Sequence, residues 1–248
     1  MLNTLFLDIE TSPDLIWAWG VYQVDAVAME RPWQLLSYSA KWRGGEHVTK
    51  ALCDYPKGRD DFYLARDCWN LMDKADLVVA HNGLDFDVKK LAARFIFHGM
   101  TPPAPYKVVD TRRELKRIAA FSSNKLDWIC KQLSLGHKLE HEGIQLWLDC
   151  MKGKREAWAK MKAYNHHDVE LLEELYEALA PWMRQPNANL HAEGIVCPSP
   201  ACGSKRIIYR GYYNSKTRKY ARFVCKDCGK WGRSVTSEKG ESASVVEI

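Results

Sequence analysis

Two acidic residues stand two positions apart in the first apolar segment of the chain. Asp8 and Glu10 follow the run Leu5–Leu7, and side chains at positions i and i+2 of a strand point to the same face. Two carboxylates on one face of an apolar strand repel each other and lose hydration unless a cation lies between them. In the alternative interpretation Glu10 marks the end of the strand and is hydrated, so the pair alone is a weak indication of a metal site.

A second acidic region follows the apolar run 77–80, which is typical of a buried strand. Asp85 and Asp87 lie after this strand and at the start of a predicted helix. Functional side chains collect at the carboxyl ends of strands in open α/β sheets. The pattern predicts Asp85 as the helix N-cap and Asp87 in the first turn, although interaction with the helix dipole would also explain both acids.

The third acidic position lies on the long helix that precedes Pro181. Its apolar residues recur every three or four positions, and the same stripe passes through Tyr164 and Asp168. These two residues are therefore i, i+4 neighbours on the inward face. A buried carboxylate needs a hydrogen-bonded partner or a metal ion, and the capping of a buried amide by Asp168 is the alternative to a metal site.

The four carboxylates of Asp8, Glu10, Asp87 and Asp168 could converge at one end of one sheet. Such a cluster requires cations, and carboxylate oxygens are the ligands that Mg²⁺ and Mn²⁺ prefer. Two such ions about 4 Å apart stabilise the attacking and leaving oxygens of phosphoryl transfer. The sequence therefore predicts two Mg²⁺ or Mn²⁺ ions at a site for phosphoryl transfer.

Four of the eight cysteines are clustered near the end of the chain. Cys197-x4-Cys202 and Cys225-x2-Cys228 have the paired spacing of a Cys₄ zinc site. Two strands are predicted between the pairs, so the arrangement is similar to a zinc ribbon with one structural Zn²⁺. Disulfides are the alternative. A segment of about 45 residues buries little apolar surface, so a metal ion is a reasonable source of its stability.

The elements that position these residues follow from the apolar pattern. Strands are predicted first, then strands alternating with helices, and finally helices up to Pro181. This order predicts an α/β fold with a mixed sheet flanked by helices, followed by a small β zinc ribbon. The predicted domains are a catalytic domain at 1–183, a polar linker at 184–190, a zinc-ribbon module at 191–234 and a flexible tail at 235–248.

The composition is that of a globular protein that does not span a membrane. Of the 248 residues, 46% are hydrophobic and 27% are charged. No apolar run approaches the roughly 20 residues that cross a bilayer, and the first residues lack the basic region of a signal peptide. We therefore expect a cytoplasmic, reducing location and no membrane partner.

The net charge of +5 is distributed unevenly. From Leu190 onward there are 11 Lys and Arg against 5 Asp and Glu, which predicts a polyanionic partner such as nucleic acid. Aromatic residues interleave with these basic residues, as in proteins that bind single strands. Docking of a protein is the alternative. The candidate substrate-binding residues of the module are Arg206, Arg210, Arg218 and Lys219.

Three short motifs in the correct order resemble those of the DEDD 3′–5′ exonucleases. They are Asp8-Ile9-Glu10-Thr11, Asn82-x3-Phe86-Asp87 and Tyr164-x3-Asp168. The tyrosine four residues before the last aspartate resembles the tyrosine subtype, which occurs in the proofreading domains of family-B DNA polymerases. The histidine of the other subtype would stand at Ala163. The resemblance covers roughly residues 1–182.

This resemblance implies a ribonuclease-H-like fold in which the four carboxylates hold two metal ions. It implies that Tyr164 orients the attacking water and that Thr11 and Asn82 lie near the substrate. The expected substrate is DNA with a single-stranded 3′ end, shortened during replication proofreading, repair or recombination. A DNA polymerase or another replisome component is the expected protein partner.

Two other functions are compatible with the sequence. The chain could be a non-catalytic nucleic-acid-binding module, or a structure-specific endonuclease on the same fold. Trp17 and Trp19 belong to no motif, and they are interpreted either as base-stacking residues or as core residues.

Overall fold

The structure, a computed structural model, describes most of the chain, namely residues 2–20, 22, 25–56 and 60–238, without the side chains of Leu190 and His191.

The chain divides into two compact units, one of residues 3–176 and one of residues 1–2 with 177–248. The predicted domain boundaries and linker stay predictions. Residues 239–248 of the predicted tail lie outside the described part of the chain. Within the described part, no helix combines the length and the apolar composition that crossing a membrane requires.

The first unit begins with strands and continues with strands and helices in alternation. Its strands are β1 (Thr4–Thr11), β2 (Leu15–Trp17), β3 (Ala28–Arg31), β4 (Leu35–Trp42), β5 (His47–Ala51), β6 (Leu77–Ala80) and β7 (Lys107–Asp110). Its helices are α1 (Phe62–Asp73), α2 (Asp87–Phe97), α3 (Thr111–Ile118), α4 (Leu126–Gln132), α5 (Ile144–Met151) and α6 (Arg155–Leu179), the last of which extends beyond the unit by three residues.

Five of these strands form one mixed sheet in the order β5-β4-β1-β6-β7. β1 pairs antiparallel with β4 and parallel with β6. β4 pairs antiparallel with β5, and β6 pairs parallel with β7. The predicted mixed sheet flanked by helices is confirmed.

The alternation of side chains along β1 separates an apolar face from an acidic face. Phe6 packs against Tyr176 of α6, with ring centroids 5.4 Å apart. Because side chains alternate along a strand, Asp8 and Glu10 share this face with Phe6. The opposite face is buried in the core beside α1 and α2 and consists of Leu5, Leu7 and Ile9.

A buried ionic cluster attaches α1 and α2 to the start of β4. The carboxylate of Asp61, fully buried, accepts a hydrogen bond from the backbone N–H of Leu35 at 2.6 Å and from Nε of Arg94 at 3.0 Å. Nε2 of His98 lies 2.8 Å from the same carboxylate. A buried carboxylate with this many partners fixes the elements that carry them.

The structure adds a two-stranded hairpin that the sequence analysis did not predict. β2 and β3 pair antiparallel between Thr11 and β4. Trp17 is 63% exposed and Trp19 is 94% exposed, so the interpretation of these tryptophans as core residues is wrong. β5 ends at Ala51, because residues 52–54 form a 3₁₀ turn in which the Asp54 carboxylate accepts a hydrogen bond from the backbone of Ala51.

The second unit contains a three-stranded antiparallel sheet in the order β10-β9-β8. Its strands are β8 (Ile207–Asn214), β9 (Lys219–Cys225) and β10 (Trp231–Arg233), preceded by a 3₁₀ turn at Ala188–His191. The two strands predicted between the cysteine pairs are present as β8 and β9, and β10 is additional. A register shift in β8 lies between Tyr209 and Tyr212.

Candidate active site

Three of the predicted acids come together on the face of the sheet that α6 covers. One oxygen atom each of Asp8, Glu10 and Asp168 lies within 4.8 Å of the others. Asp168 is 2% exposed. Since β1 continues to Thr11, Glu10 does not mark the end of the strand.

A buried asparagine of α6 holds the first of these acids in place. Nδ2 of Asn165 donates a hydrogen bond of 2.5 Å to Oδ2 of Asp8. Oδ1 of Asn165 accepts a hydrogen bond of 3.1 Å from the Ser37 hydroxyl on β4. Asn165 thus connects α6 to β1 and to β4. Sequence analysis missed it, and the only available signal was its place beside Tyr164 on the helix.

Asp87 approaches the cluster from another element. It is the first residue of α2, is 2% exposed, and accepts a hydrogen bond of 3.1 Å from the backbone N–H of Ile9. The N-cap is Phe86, so the prediction of Asp85 as N-cap is wrong. Asp85 instead points outward, where its carboxylate pairs with Arg113 at 2.8 Å.

The loop between β6 and α2 is shaped by a buried aspartate of β7. The Asp110 carboxylate accepts hydrogen bonds of 3.1 Å from the backbone N–H groups of Asn82 and Leu84. Asn82 adopts a positive φ of 69°, which asparagine tolerates better than most residues. Its side-chain oxygen accepts from Arg112 at 2.8 Å. The structure therefore places Asn82 at the predicted strand end, with its side-chain oxygen already bonded.

Thr11 is the last residue of β1, and it lies opposite Leu35 after a register shift in the β1–β4 ladder. The shift falls between Glu10 and Thr11. Thr11 therefore follows the acidic pair directly, at the point where the chain leaves the sheet for the β2–β3 hairpin.

Lys138 joins the cluster and was not anticipated. Its ammonium donates a hydrogen bond of 2.9 Å to the Tyr164 hydroxyl and another to Oδ2 of Asp168. Burial would lower the pKa of Lys138, but the charges of Asp168 and Asp8 outweigh burial and raise it. Lys138 lies in an aperiodic segment between α4 and α5, so no sequence pattern pointed to it.

Aromatic rings pack around the predicted catalytic tyrosine. His141 meets Tyr164 edge to face with ring centroids 4.8 Å apart. Trp147 of α5 lies 6.2 Å from the same ring. Burial, and then the charge of Asp168, raise the pKa of Tyr164, so the hydroxyl keeps its proton at neutral pH.

Burial raises the pKa values of all four carboxyls, and repulsion from other acids of the cluster adds to it for Asp8 and Glu10. For Asp8 burial contributes most, followed by the charges of Asp87 and Asp168. Burial and the charge of Asp168 raise the pKa of Glu10 to about 8. Burial raises the pKa of Asp87 to about 7 and also raises that of Asp168, which the charge of Lys138 partly offsets. Without added positive charge, the cluster is therefore unfavourable when fully ionised.

The donor set fits divalent cations. Oδ1 of Asp168 is buried and has no hydrogen-bond partner in the described part of the chain. Buried acceptors of this kind normally have a partner. Hard carboxylate oxygens at close range are the ligands of Mg²⁺ and Mn²⁺, and the three converging acids could share such an ion.

Comparison with known proteins agrees with this geometry. A family model described as RNase_H superfamily matches residues 5–180. The chain belongs to the RNase_H superfamily. The predicted ribonuclease-H-like fold is thereby confirmed. Membership supports nuclease-type chemistry and the use of divalent metal ions.

Among solved structures, the family B DNA polymerase from the hyperthermophilic archaeon Pyrobaculum calidifontis is similar to this RNase_H superfamily member. The match has a TM-score of 0.56 and 16% sequence identity, and it covers 73% of this chain and 25% of the polymerase chain. The chain thus spans about a quarter of the polymerase, and at this identity the likeness shows the fold alone. Comparison with curated proteins finds no match.

The four clustered cysteines converge as predicted. Their sulfur atoms all lie within 4.8 Å of one another. Sγ of Cys197 is 3.6 Å from Sγ of Cys228, and Sγ of Cys202 is 3.7 Å from Sγ of Cys225. Burial would raise the pKa of Cys225, but the backbone N–H groups at Cys228 and Asp227 outweigh it and lower the pKa. A lowered pKa favours the thiolate that binds zinc, whereas burial raises the pKa values of Cys197 and Cys202.

The predicted basic residues of the second unit differ in their surroundings. Arg206 pairs with Asp227 at 2.6 Å, and Nζ of Lys219 lies 4.2 Å from the ring centroid of Tyr212. Arg210 and Arg218 are exposed. Two further arginines cover aromatic rings: Arg222 over Trp231 at 4.8 Å, and Arg233 over Tyr220 at 4.1 Å.

Replacement of Asp87 by Asn should stabilise the magnesium-free protein at alkaline pH. The pKa of Asp87 is raised in the folded state, so its contribution to stability is fully present only below about pH 4 and is lost as pH rises from there through about 7. We expect Asp87→Asn to gain on the order of 1 kcal/mol at pH 8, a rise in melting temperature of about 2–4 °C, to gain less at pH 5, and to melt like the wild type below about pH 4.

Calorimetry in magnesium-free buffer measures this difference. Asp85→Asn is the matched control, because Asp85 is exposed on the same loop and should gain nothing. Added Mg²⁺ should then stabilise the wild type more than Asp87→Asn, by mass action. Equal melting of Asp87→Asn and wild type at pH 8 would contradict the electrostatic account of the cluster.

The four cysteines should bind one zinc ion per chain, which Cys225→Ser with Cys228→Ser should release. Elemental analysis of protein purified under reducing conditions without chelators measures the content. Cys53→Ser is the control, since Cys53 is an exposed cysteine outside the cluster. Wild-type protein without zinc would show that the cluster serves another purpose.

Proposed function

We propose that this chain is a metal-dependent 3′–5′ exonuclease that removes nucleotides from single-stranded 3′ ends, with DNA as the favoured substrate. The observation that carries the proposal is the convergence of Asp8, Glu10 and Asp168 beside a tyrosine hydroxyl that Lys138 connects to Asp168. Asp87 borders the same cluster through its bond to the β1 backbone.

The proposed ligands of two Mg²⁺ or Mn²⁺ ions are Asp8, Glu10, Asp87 and Asp168. Bound there, the ions would supply charge neutralisation at the phosphate and activation of the attacking water. The protein contributes the positions of the ligands, because Asn165 holds Asp8 and the β1 backbone holds Asp87.

Tyr164 has the hydrogen-bonding state that orienting a water molecule requires. An ammonium group can only donate, so the Tyr164 hydroxyl oxygen accepts from Lys138. The hydroxyl proton is therefore directed away from Lys138, toward the Asp168 carboxylate that the hydroxyl also hydrogen-bonds. When a cation binds that carboxylate, the proton would become available to the attacking water or to a phosphate oxygen. The raised pKa of Tyr164 keeps this proton in place at neutral pH.

The order of the motifs and the fold support activity on DNA ends. Tyr164-x3-Asp168 matches the tyrosine subtype, and the polymerase with a similar fold acts in DNA synthesis, as its name states. We therefore propose roles in replication proofreading, repair or recombination, with a polymerase or replisome component as partner. The basic second unit would provide contacts to the strand through Arg206, Arg210, Arg218 and Lys219.

Loss of a metal ligand should abolish hydrolysis without unfolding the protein. Asp8→Ala and Asp168→Ala should each reduce the rate by roughly a thousandfold, because metal activation supplies several kcal/mol of transition-state stabilisation. Omission of Mg²⁺ should silence the wild type, and Mg²⁺ or Mn²⁺ should restore it. The matched control Asp85→Ala should remain active.

The substrates in this experiment are 3′-labelled linear single strands and closed circular single strands. An exonuclease releases mononucleotides from the linear DNA and leaves circles intact. Cleavage of circles would instead support a structure-specific endonuclease. Binding without any hydrolysis in Mg²⁺ would support a non-catalytic module.

The tyrosine should affect turnover more than affinity. Tyr164→Phe keeps the ring packing and removes only the hydroxyl, so we expect kcat to fall on the order of ten- to a hundredfold through poorer orientation of the water. The dissociation constant for the strand and the melting temperature should change little. Unchanged kcat would assign Tyr164 a purely structural role.

A further inference from the structure

The zinc-binding unit contains a cavity of about 510 Å³. It lies between the three-stranded sheet and the segment 187–198 that precedes the sheet. This volume is in the range of sites that hold small organic groups. The side chains at its wall that matter here are Tyr209, Phe223, Val235, Arg233 and Val196.

The wall opposite the sheet is held in place by hydrogen bonds. Asn189 donates to the carbonyl of Val196 at 2.7 Å and accepts from its N–H at 2.9 Å. The N–H of Ala188 bonds the carbonyl of Pro198 at 3.0 Å. Val196 and Pro198 flank Cys197, so the zinc cluster fixes this wall, and the cavity is formed before any ligand binds.

The sheet side of the cavity is aromatic. Phe223 is buried, and its ring lies across Gly232, where a Cβ atom would meet the ring at 2.3 Å. Tyr209 packs against Phe223 with centroids 6.3 Å apart and stays 57% exposed. An apolar, aromatic wall of this kind favours a planar ring as the ligand.

The charge of the same unit favours a nucleic acid as the source of that ring. Residues 190–238 contain 10 Lys and Arg against 3 Asp and Glu. Arg233 is one of the residues at the cavity wall, and its guanidinium lies next to the cavity, over the rings of Tyr220 and Tyr213 outside the wall. Positive charge around an aromatic cavity matches a base linked to phosphates better than an apolar protein side chain.

We propose that this cavity binds one unstacked base of a single-stranded nucleic acid while the basic residues around it contact the adjacent phosphates. This inference rests on the proposed function only in taking a nucleic acid as the ligand. It adds a base-binding site in the zinc unit, separate in sequence from the carboxylates.

The test compares two 12-nucleotide DNA strands, one with natural bases and one made entirely of abasic sites. The full chain carries Asp8→Ala so that the strands stay intact, and fluorescence anisotropy measures affinity. Tyr209→Ala should weaken binding of the natural strand on the order of tenfold and leave binding of the abasic strand almost unchanged. Tyr212→Ala is the matched control, a half-exposed tyrosine of the same strand outside the cavity.

Val235→Trp provides a second variant, since Val235 is 90% exposed at the cavity and a larger side chain there should fill it. Val235→Trp should also remove the preference of the protein for the natural strand over the abasic strand. Zinc content is measured for each variant, because loss of zinc would disturb the cavity wall. If Tyr209→Ala loses zinc, the result for Val235→Trp is used instead to test whether the cavity binds a base. Removal of zinc from the parent should abolish the preference as well, because Cys197 fixes the wall.

Three results would overturn the proposal. In the first, the parent protein binds both strands equally. In the second, Tyr209→Ala and Tyr212→Ala lose affinity equally, which would place the bases on the open sheet. In the third, Tyr209→Ala and Val235→Trp both keep the preference for natural bases, which would leave a protein side chain as the occupant of the cavity.

A separate assay tests the carboxylate site alone. It measures hydrolysis of the p-nitrophenyl ester of thymidine 5′-phosphate by the wild type. Failure of this hydrolysis would refute the exonuclease and leave the base-binding site standing.

Discussion

The repulsion among four carboxylates at one end of a sheet is the constraint that organises this molecule. Burial raises the pKa values of Asp8, Glu10, Asp87 and Asp168, and the charge of a neighbouring carboxylate raises that of every one but Asp168 further. A folded chain keeps such a cluster only if other contacts prevent the acids from moving apart. Those contacts come from elements distant in sequence, so the acids are held by the fold as a whole and not by local structure.

Three of the four acids have restraints that differ in kind. Asp8 is held by an amide from α6, Asp87 by a backbone N–H of β1, and Asp168 by the ammonium of Lys138. None of these partners neutralises the cluster completely, since Lys138 supplies one positive charge for four carboxyls. The geometry is therefore prepared for added cations at a cost in stability, which is the usual relation between preorganised sites and the rest of a fold.

Sequence periodicity predicted the parts of the site that regular elements carry. The strand pattern placed Asp8 and Glu10 on one face, and the helical stripe placed Tyr164 beside Asp168. Lys138 and Asn165 were missed because their roles come from contacts 26 to 157 residues away along the chain. The β2–β3 hairpin was missed because its exposed side chains lack the alternation of a half-buried strand. The prediction of Asp85 as the helix N-cap was wrong because Arg113 binds the Asp85 side chain away from the start of the helix.

The two predicted metal sites would stabilise their surroundings for opposite reasons. The first unit has an extensive apolar core and an acidic cluster that opposes folding when ionised, so a cation there relieves repulsion inside a structure that is already formed. The second unit has few buried side chains, so zinc bound by its thiolates would replace part of the core that it lacks. Hard oxygen ligands and soft sulfur ligands also select different ions. With both proposed sites filled, the chain would exchange the cations of its proposed chemistry while the proposed zinc ion of the second unit stays in place.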